Sequence, residues 1–177
     1  MNKKNLFYER QKFCQHWFWL LIILAFGIPM ISLIKQWVQN NNPTSDKELI
    51  MSILIFLALT VIFVSLFIIM RLETVITTDG VSVRFFPIHR SFRNYRWEDI
   101  TTYSVKEYSP LKEFGGWGIR FRMGRNAIAY SISGNYGLQL ELKNGKRILI
   151  GTKKQYEMEQ ALKKIEQIKN RNQLNIM

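Results

Sequence analysis

The sequence predicts an α-helical transmembrane hairpin joined to an antiparallel β domain that ends in a capping helix. The first observation is the stretch from Leu49 to Met70, which holds no charged residue. As a helix it would extend roughly 33 Å, enough to cross the ~30 Å hydrocarbon core of a bilayer. The second is an earlier apolar run from Trp17 to Val38. The third is a change after Arg71 to alternating polar and apolar residues, the period of β-strands. A buried helix of a large soluble core has a similar composition, but 177 residues cannot build a core of that size.

Residues 1–16 form a polar and basic N-terminal segment. Apolar or basic residues recur in it at intervals of three or four, at Leu6, Phe7, Arg10 and Phe13. This spacing predicts a short amphipathic helix lying at the membrane interface. Cys14 is the only cysteine, so the chain cannot form an internal disulfide. Acylation beside the membrane and a plain interfacial thiol are both compatible with its position.

Two transmembrane helices are predicted at 17–38 and 49–70, joined by a short external loop at 39–48. Tryptophans at both ends of the first helix suit the headgroup level of a bilayer. A cleaved signal peptide is the alternative for this first run. The run is longer than the apolar region of a signal peptide, and no small-residue cleavage site follows it.

Basic residues set the predicted orientation. The loop region carries only Lys35 and Lys47, whereas the N-terminus and the sequence after Met70 are rich in lysine and arginine. The positive-inside rule therefore predicts that both termini are cytoplasmic and that the protein is a multi-pass protein of the cell membrane.

Residues 71–177 are predicted to form one cytoplasmic β domain. Alternating segments separated by turn residues lie at Leu72–Thr78, Val81–Pro87, Arg93–Trp97, Ile100–Glu107, Ile119–Met123, Ala127–Ile132, Leu138–Lys143 and Arg147–Ile150. The stretch from Lys106 to Gly118 is predicted to be a loop. A helix over 153–170 carries one apolar stripe, at Met158, Ala161, Leu162, Ile165 and Ile168. About seven antiparallel strands capped by a C-terminal helix are the layout of a pleckstrin-homology-like (PH-like) barrel.

Several motifs also resemble a known family. They are Glu9-Arg10-Gln11-Lys12-Phe13, Asp79-Gly80-Val81 through Arg84-Phe85-Phe86-Pro87, Gly115-Gly116-Trp117-Gly118-Ile119-Arg120, Ser133-Gly134-Asn135, Gly137-Leu138-Gln139-Leu140-Glu141-Leu142 and Ile150-Gly151-Thr152. In these the chain resembles a family of uncharacterised bacterial membrane proteins with a transmembrane hairpin followed by a bacterial PH-like domain. Similar sequences usually begin the last helix with proline, where this chain has Gln155. The resemblance implies the fold and topology, but it brings no catalytic residue with it.

The residue pattern favours a non-enzymatic protein without cofactor or metal. The only histidines are His16 and His89, and neither lies in a recognisable catalytic-triad motif. Closely spaced sets of three or four metal ligands are absent from the sequence.

Two stretches are candidates for binding. The first is a basic cluster of Arg84, His89, Arg90, Arg93 and Arg96, interleaved with Phe85, Phe86, Phe92 and Tyr95. These charged positions are expected to face outward, where they could bind anionic headgroups or simply form a solvated hairpin that sets topology. The second is the loop of Gly115, Gly116, Trp117 and Gly118, read as a tight turn with an anchoring indole or as a docking loop.

The expected function is therefore interaction rather than catalysis. The main hypothesis is that the domain docks a membrane-protein partner or a second copy of itself, using a strand edge or the glycine-tryptophan loop. The alternative is a module that binds anionic membrane lipids through the basic cluster. The net charge of +12 also permits nucleic-acid binding, but membrane tethering and the lack of a recognition motif argue against it.

Overall fold

The computed structural model describes residues 4–13, 16–39, 43–122 and 126–174. Cys14, residues 40–42 of the predicted external loop and Met123 lie outside these ranges. The chain divides into a helical unit, Cys14–Ile69, and a β unit that comprises Met1–Phe13 together with Met70–Met177. In sequence, therefore, the helical unit is an insertion within the β unit.

The helical unit consists of α1 (His16–Gln39) and α2 (Pro43–Ile69). Both contain a segment long and apolar enough to span a membrane, Trp19–Gln39 in α1 and Lys47–Ile69 in α2. Almost none of these side chains is buried, so the two helices present apolar surface outward. The helices contact each other through Phe26, whose ring lies 5.9 Å from that of Phe56 and 5.2 Å from that of Phe63.

The hydroxyl groups within α2 are satisfied by the helix itself. Ser52, Thr60 and Ser65 each donate to the carbonyl oxygen four residues earlier, over 2.6 to 2.9 Å. Such bonds let a polar residue sit in apolar surroundings without an unpaired donor.

A four-stranded antiparallel sheet begins the β unit. Its strands, in spatial order, are β1 (Asn5–Lys12), β2 (Arg71–Thr77), β3 (Gly80–Phe86) and β4 (Arg93–Arg96). The prediction of an amphipathic helix within residues 1–16 is wrong, because residues 5–12 pair along β2 instead. The β domain therefore extends beyond the predicted 71–177 to include β1.

A five-stranded sheet follows a 3-10 turn at Trp97–Asp99. Its strands are β5 (Ile100–Glu107), β6 (Gly118–Arg122), β7 (Ala127–Ser131), β8 (Tyr136–Leu142) and β9 (Arg147–Thr152), in the spatial order β5-β8-β9-β7-β6. The β7–β9 pair is parallel, which corrects the expectation of a wholly antiparallel domain. Neither sheet closes on itself, and the described chain holds nine strands rather than about seven.

The stretch predicted as a loop between β5 and β6 contains a short helix, α3 (Pro110–Phe114). Proline suits the first turn of a helix because its missing N–H has no partner there. The Ser109 side chain accepts from the Lys112 amide and so caps this turn.

The core lies where the apolar faces of the two sheets meet the C-terminal helix α4 (Gln155–Leu174). Met158, Ala161, Leu162 and Ile165 are buried, as the predicted stripe requires, whereas Ile168 stays 37% exposed. The indole of Trp97 is also buried, and its Nε1 donates to the Thr77 carbonyl over 3.0 Å.

Strand β1 joins the four-stranded sheet to the end of β9 and the start of α4. Its backbone pairs with β2, while two of its inward side chains bind the other sheet. Gln11 Nε2 donates to the Gly151 carbonyl over 2.8 Å. The carboxylate of Glu9 accepts from the Thr152 hydroxyl over 2.6 Å and from the Lys153 amide over 2.9 Å. A buried polar residue is stable only with such partners, so β1 has one defined register.

Candidate functional site

Strand register separates the residues of the predicted basic cluster. Arg93 lies opposite Val83, and Arg96 lies opposite Gly80. Because Val83 faces the core, Arg93 lies on the core side of the sheet, and its Nη1 donates to the Tyr130 hydroxyl over 3.1 Å. Arg84 and Arg96 lie on the outer face. Arg93 is solvent-exposed, but it lies on the opposite side of the sheet from Arg84 and Arg96.

A buried carboxylate occupies the middle of the outer face. Glu73 is central in β2, with Arg10 opposite it on β1 and Arg84 opposite it on β3. Only 4% of its side chain is exposed. Arg84 Nε donates to Glu73 over 2.7 Å, and its Nη2 makes a second contact with the same oxygen. The Nε atoms of Arg71 and Arg10 lie 3.1 and 3.7 Å from the other oxygen. Three cations around one carboxylate leave the cluster with a net positive charge.

Aromatic rings cover two of these guanidinium groups. The Arg71 guanidinium carbon lies 4.4 Å from the centre of the Phe86 ring, and that of Arg84 lies 4.5 Å from the Phe92 ring. Such cation–π contacts hold a charged group while leaving part of it open to solvent. Phe85, by contrast, points into the core and contributes nothing to this surface.

The loop between β3 and β4 (Pro87–Phe92) is fixed at both backbone and side-chain level. The His89 amide donates to the Phe85 carbonyl over 2.8 Å, and the Arg90 carbonyl accepts from Arg84. The His89 ring packs edge-on against Tyr130. Burial, and secondarily the charge of Arg93, lowers the pKa of His89 below 6.5, so its ring is neutral at neutral pH. The side chains of Ile88 and Arg90 project into solvent.

Two cations reach this surface from β1, and sequence reasoning missed them. Lys12 lies opposite Arg71, and Arg10 lies opposite Glu73. The only signal in the sequence was the alternation of Arg10 and Lys12 with Glu9 and Gln11, which a strand would place on opposite faces.

The outer face has a basic end, which we define as Arg10, Lys12, Arg71, Arg84 and Arg90. At this end Lys12 and Phe86 both lie opposite Arg71. The opposite end of this face holds Asp79, Gly80 and Arg96. It is about 20 Å from Arg71, counted along β3 at the usual rise per residue of a strand. Arg96 is therefore not part of the basic end, although it is close to it in sequence.

The glycine-tryptophan loop is a tight connection between α3 and β6. Gly115 ends α3 in the left-handed conformation with φ of 70°, where a side chain would be strained. Trp117 Nε1 donates to the Gly134 carbonyl over 3.4 Å, and Arg120 Nε donates to the Trp117 carbonyl over 3.1 Å. These hydrogen bonds link the Trp117 indole to the turn at Gly134 and the Trp117 backbone to Arg120. Gly116 and Gly118 also have positive φ.

Comparisons with family models, with curated proteins and with solved structures find no match to this chain. The resemblance read from the sequence motifs therefore stays a prediction.

Proposed function

We propose that this chain is a non-enzymatic protein of the cell membrane that binds anionic lipid headgroups with the basic end of its four-stranded sheet. In this proposal α1 and α2 cross the bilayer as a hairpin, and both termini are cytoplasmic. The β unit would be a PH-like module of the bacterial family that the motifs resemble. Its two sheets and C-terminal helix support that assignment.

The observation that carries the proposal is the pairing of Lys12 with Arg71. Lys12 precedes the first described residue of α1, His16, by four positions, and Arg71 follows the last residue of α2, Ile69, by two. At about 3.5 Å per residue, Arg71 stays within about 7 Å of the end of α2 and Lys12 within about 14 Å of the start of α1. If the helices span a bilayer, the basic end is thus tethered near the headgroups.

The charge balance favours anionic rather than neutral headgroups. The basic end holds five cations and one carboxylate, Glu73, so its formal charge is +4. Within the described residues, Lys12 and Arg90 pair with no carboxylate. Each net charge near an anionic leaflet contributes about 1 kcal/mol, hence about 4 kcal/mol in all. This attraction fades beyond roughly 8 Å at physiological salt. The tether of Arg71, about 7 Å, is within this length, and strand pairing holds Lys12 beside Arg71.

The test compares charge at the two ends of the β unit in the full-length protein. We would measure retention of phosphatidylglycerol against phosphatidylcholine by protein taken from mixed nanodiscs. The Lys12→Gln/Arg90→Gln variant should lose about 2 kcal/mol of selectivity, or about 30-fold in the retention constant. The matched control, Arg96→Gln/Lys143→Gln, removes the same charge from exposed positions away from the basic end and should retain phosphatidylglycerol normally. If the two variants retain phosphatidylglycerol equally, whether strongly or weakly, the proposal is contradicted.

A second candidate function, docking of a protein partner or of a second copy, is favoured by one observation. Strand β6 is the last strand of the five-stranded sheet in the described chain, and Phe121 on it is 71% exposed. A sheet edge with an exposed aromatic residue suits the addition of a strand from another chain. The adjoining glycine-tryptophan loop would fix the position of this edge.

Site-specific photo-crosslinking in intact membranes tests the docking function. A photoreactive residue at Phe121 should give one defined crosslinked product, either a dimer or a complex with another membrane protein. The control position is Leu111 on α3, which is 64% exposed but lies on no strand edge. If Phe121 gives no product beyond that of Leu111, the strand edge is not a docking site.

A further inference from the structure

The β3–β4 loop presents an exposed apolar residue at the basic end. Ile88 is 62% exposed, although the loop residues that follow it are held in place. The His89 ring turns inward against Tyr130, and the Arg90 carbonyl is held by Arg84. The exposure of Ile88 therefore follows from a fixed backbone and not from a loose segment.

Strand register places this loop at the end of the four-stranded sheet where β1 ends and β2 begins. β2 runs away from α2, and β3 returns antiparallel to it, so that Phe86 lies opposite Arg71. Ile88 is two residues beyond Phe86. Among the exposed apolar side chains of the β unit, Leu111 on α3 and Phe121 on β6 have no such link to the helices.

The groups around Ile88 match the layers of a membrane interface. An apolar tip favours the boundary of the acyl chains, cations favour the phosphates, and aromatic rings favour the level between them. Here Ile88 is the tip, Arg90 is the exposed cation, and Phe86 and Phe92 lie beneath guanidinium groups. A protein partner would need an acidic pocket with an apolar floor, whereas a bilayer supplies both properties at the distance that the tether sets.

We infer that the β3–β4 loop inserts into the cytoplasmic headgroup layer, with the Ile88 side chain at the boundary of the acyl chains. The inference rests on the proposed function in one respect, because it requires the hairpin to span the bilayer. It adds that the β unit is held against the membrane by apolar contact as well as by charge.

The test measures the depth of the loop in full-length protein, with one copy per nanodisc. In a Cys14→Ser background, a nitroxide is attached at Ile88→Cys, and its collision rates with oxygen and with a water-soluble nickel complex are compared. The expected depth is about 5–10 Å below the headgroup surface, the range of interfacial apolar side chains. The control label at Asn144→Cys, in the β8–β9 turn, should collide as in water.

A second labelled position guards against a local folding defect. Ser91→Cys lies in the same loop and is exposed. It should report a depth near the phosphates, shallower than position 88. If position 88 collides with the nickel complex as often as position 144 does, in a variant with the thermal midpoint of the parent, the inference is overturned. If the Ile88→Cys variant is unstable, aqueous collision rates at Ser91→Cys overturn it equally.

Lipid composition separates this inference from the proposed function. Nanodiscs of phosphatidylcholine alone offer no anionic headgroup, but they still offer acyl chains for the apolar contact. Position 88 should therefore stay buried in them. Burial at position 88 together with normal lipid selectivity of the Lys12→Gln/Arg90→Gln variant would support insertion and contradict headgroup recognition. Selective retention of phosphatidylglycerol with position 88 in water would support headgroup recognition and contradict insertion.

Discussion

Glu9 and Thr152 are 143 positions apart in the sequence, and the Thr152 hydroxyl donates to the Glu9 carboxylate over 2.6 Å. The second carboxylate oxygen of Glu9 accepts from the Lys153 amide, two residues before α4 begins. One side chain of β1 thus fixes the point where the five-stranded sheet gives way to the C-terminal helix.

Replacing Glu9 should weaken the whole β unit. Glu9→Ala leaves a buried hydroxyl and an amide without an acceptor, which costs about 1–3 kcal/mol each. We expect a lower thermal midpoint of unfolding and faster hydrogen exchange in both β1 and the first turn of α4. The control is Tyr8→Ala, at an exposed neighbouring position on the opposite face of the strand. Faster exchange confined to β1 would show that Glu9 does not couple the two sheets.

The buried carboxylate of Glu73 should matter far more than an exposed one. Glu73→Gln leaves three arginines around a neutral side chain, and breaking a buried pair costs about 3 kcal/mol. Amide exchange in β2 should then be about 100-fold faster. Glu141→Gln breaks an ion pair with Arg147 in which both side chains are substantially exposed, and it should cost less than about 1 kcal/mol. Similar exchange rates in the two variants would contradict the structural role of Glu73.

The lowered pKa of His89 predicts a loss of stability in mild acid. The unfolded chain binds a proton near pH 6.5, whereas the folded chain resists protonation until a lower pH. Stability should therefore fall as the pH drops through 6.5 towards the folded pKa. In His89→Gln this contribution should disappear. Thermal midpoints measured from about pH 7.5 to about pH 5 would show it as a shallower slope in the variant; parallel slopes would count against it.

The orientation of the hairpin can be tested by cysteine labelling in intact cells. In a Cys14→Ser background, Asn41→Cys in the loop between the helices should react with an impermeant reagent added outside. Asn144→Cys in the β8–β9 turn should react only after the membrane is permeabilised. Because Lys12 pairs with Arg71, a hairpin that spans the bilayer would have both of its ends on one side. Labelling of Asn144→Cys alone would reverse the orientation, and labelling of both would exclude a sealed hairpin.

Much of the β unit could be predicted because its strands obey a simple alternation. Leu138 and Leu140 face the core while Gln139 and Glu141 do not, and Asp79 lies in the turn between β2 and β3. The apolar stripe of α4 was predictable for the same reason, since one face of the helix is buried. In each of these elements the apolar residues mark the face that is buried.

Strand β1 could not be recognised in this way because two of its three buried positions, Glu9 and Gln11, are polar and only Phe7 is apolar. Glu9 and Gln11 face the core side and bind the backbone of β9 and of the residues that follow it. Alternation of hydrophobicity therefore disappears, and the remaining apolar residues fall at helical spacing. Only Gly151, Thr152 and Lys153, far along the sequence, explain the burial of these two side chains.

The basic cluster was only partly predictable because neighbours in sequence are not neighbours in a hairpin. Arg93 and Arg96 are three positions apart in one strand, so the alternation of side chains puts them on opposite faces of the sheet. Conversely, Lys12 and Arg71 are brought together by β1–β2 pairing. Counting charges along the sequence does not predict that pairing.

The interruption of the β unit by the two helices also sets the order in which the protein can assemble. β1 is synthesised before α1 and α2, and its partner β2 only after them. At about 5–20 residues per second, β1 waits several seconds for β2 and up to about half a minute for Thr152. A strand with a wholly apolar inward face would risk aggregation during that interval, whereas Phe7 is the single apolar residue among the buried positions of β1, and Glu9 and Gln11 stay hydrated until their partners emerge. The β unit can therefore complete its fold only after both helices have been synthesised.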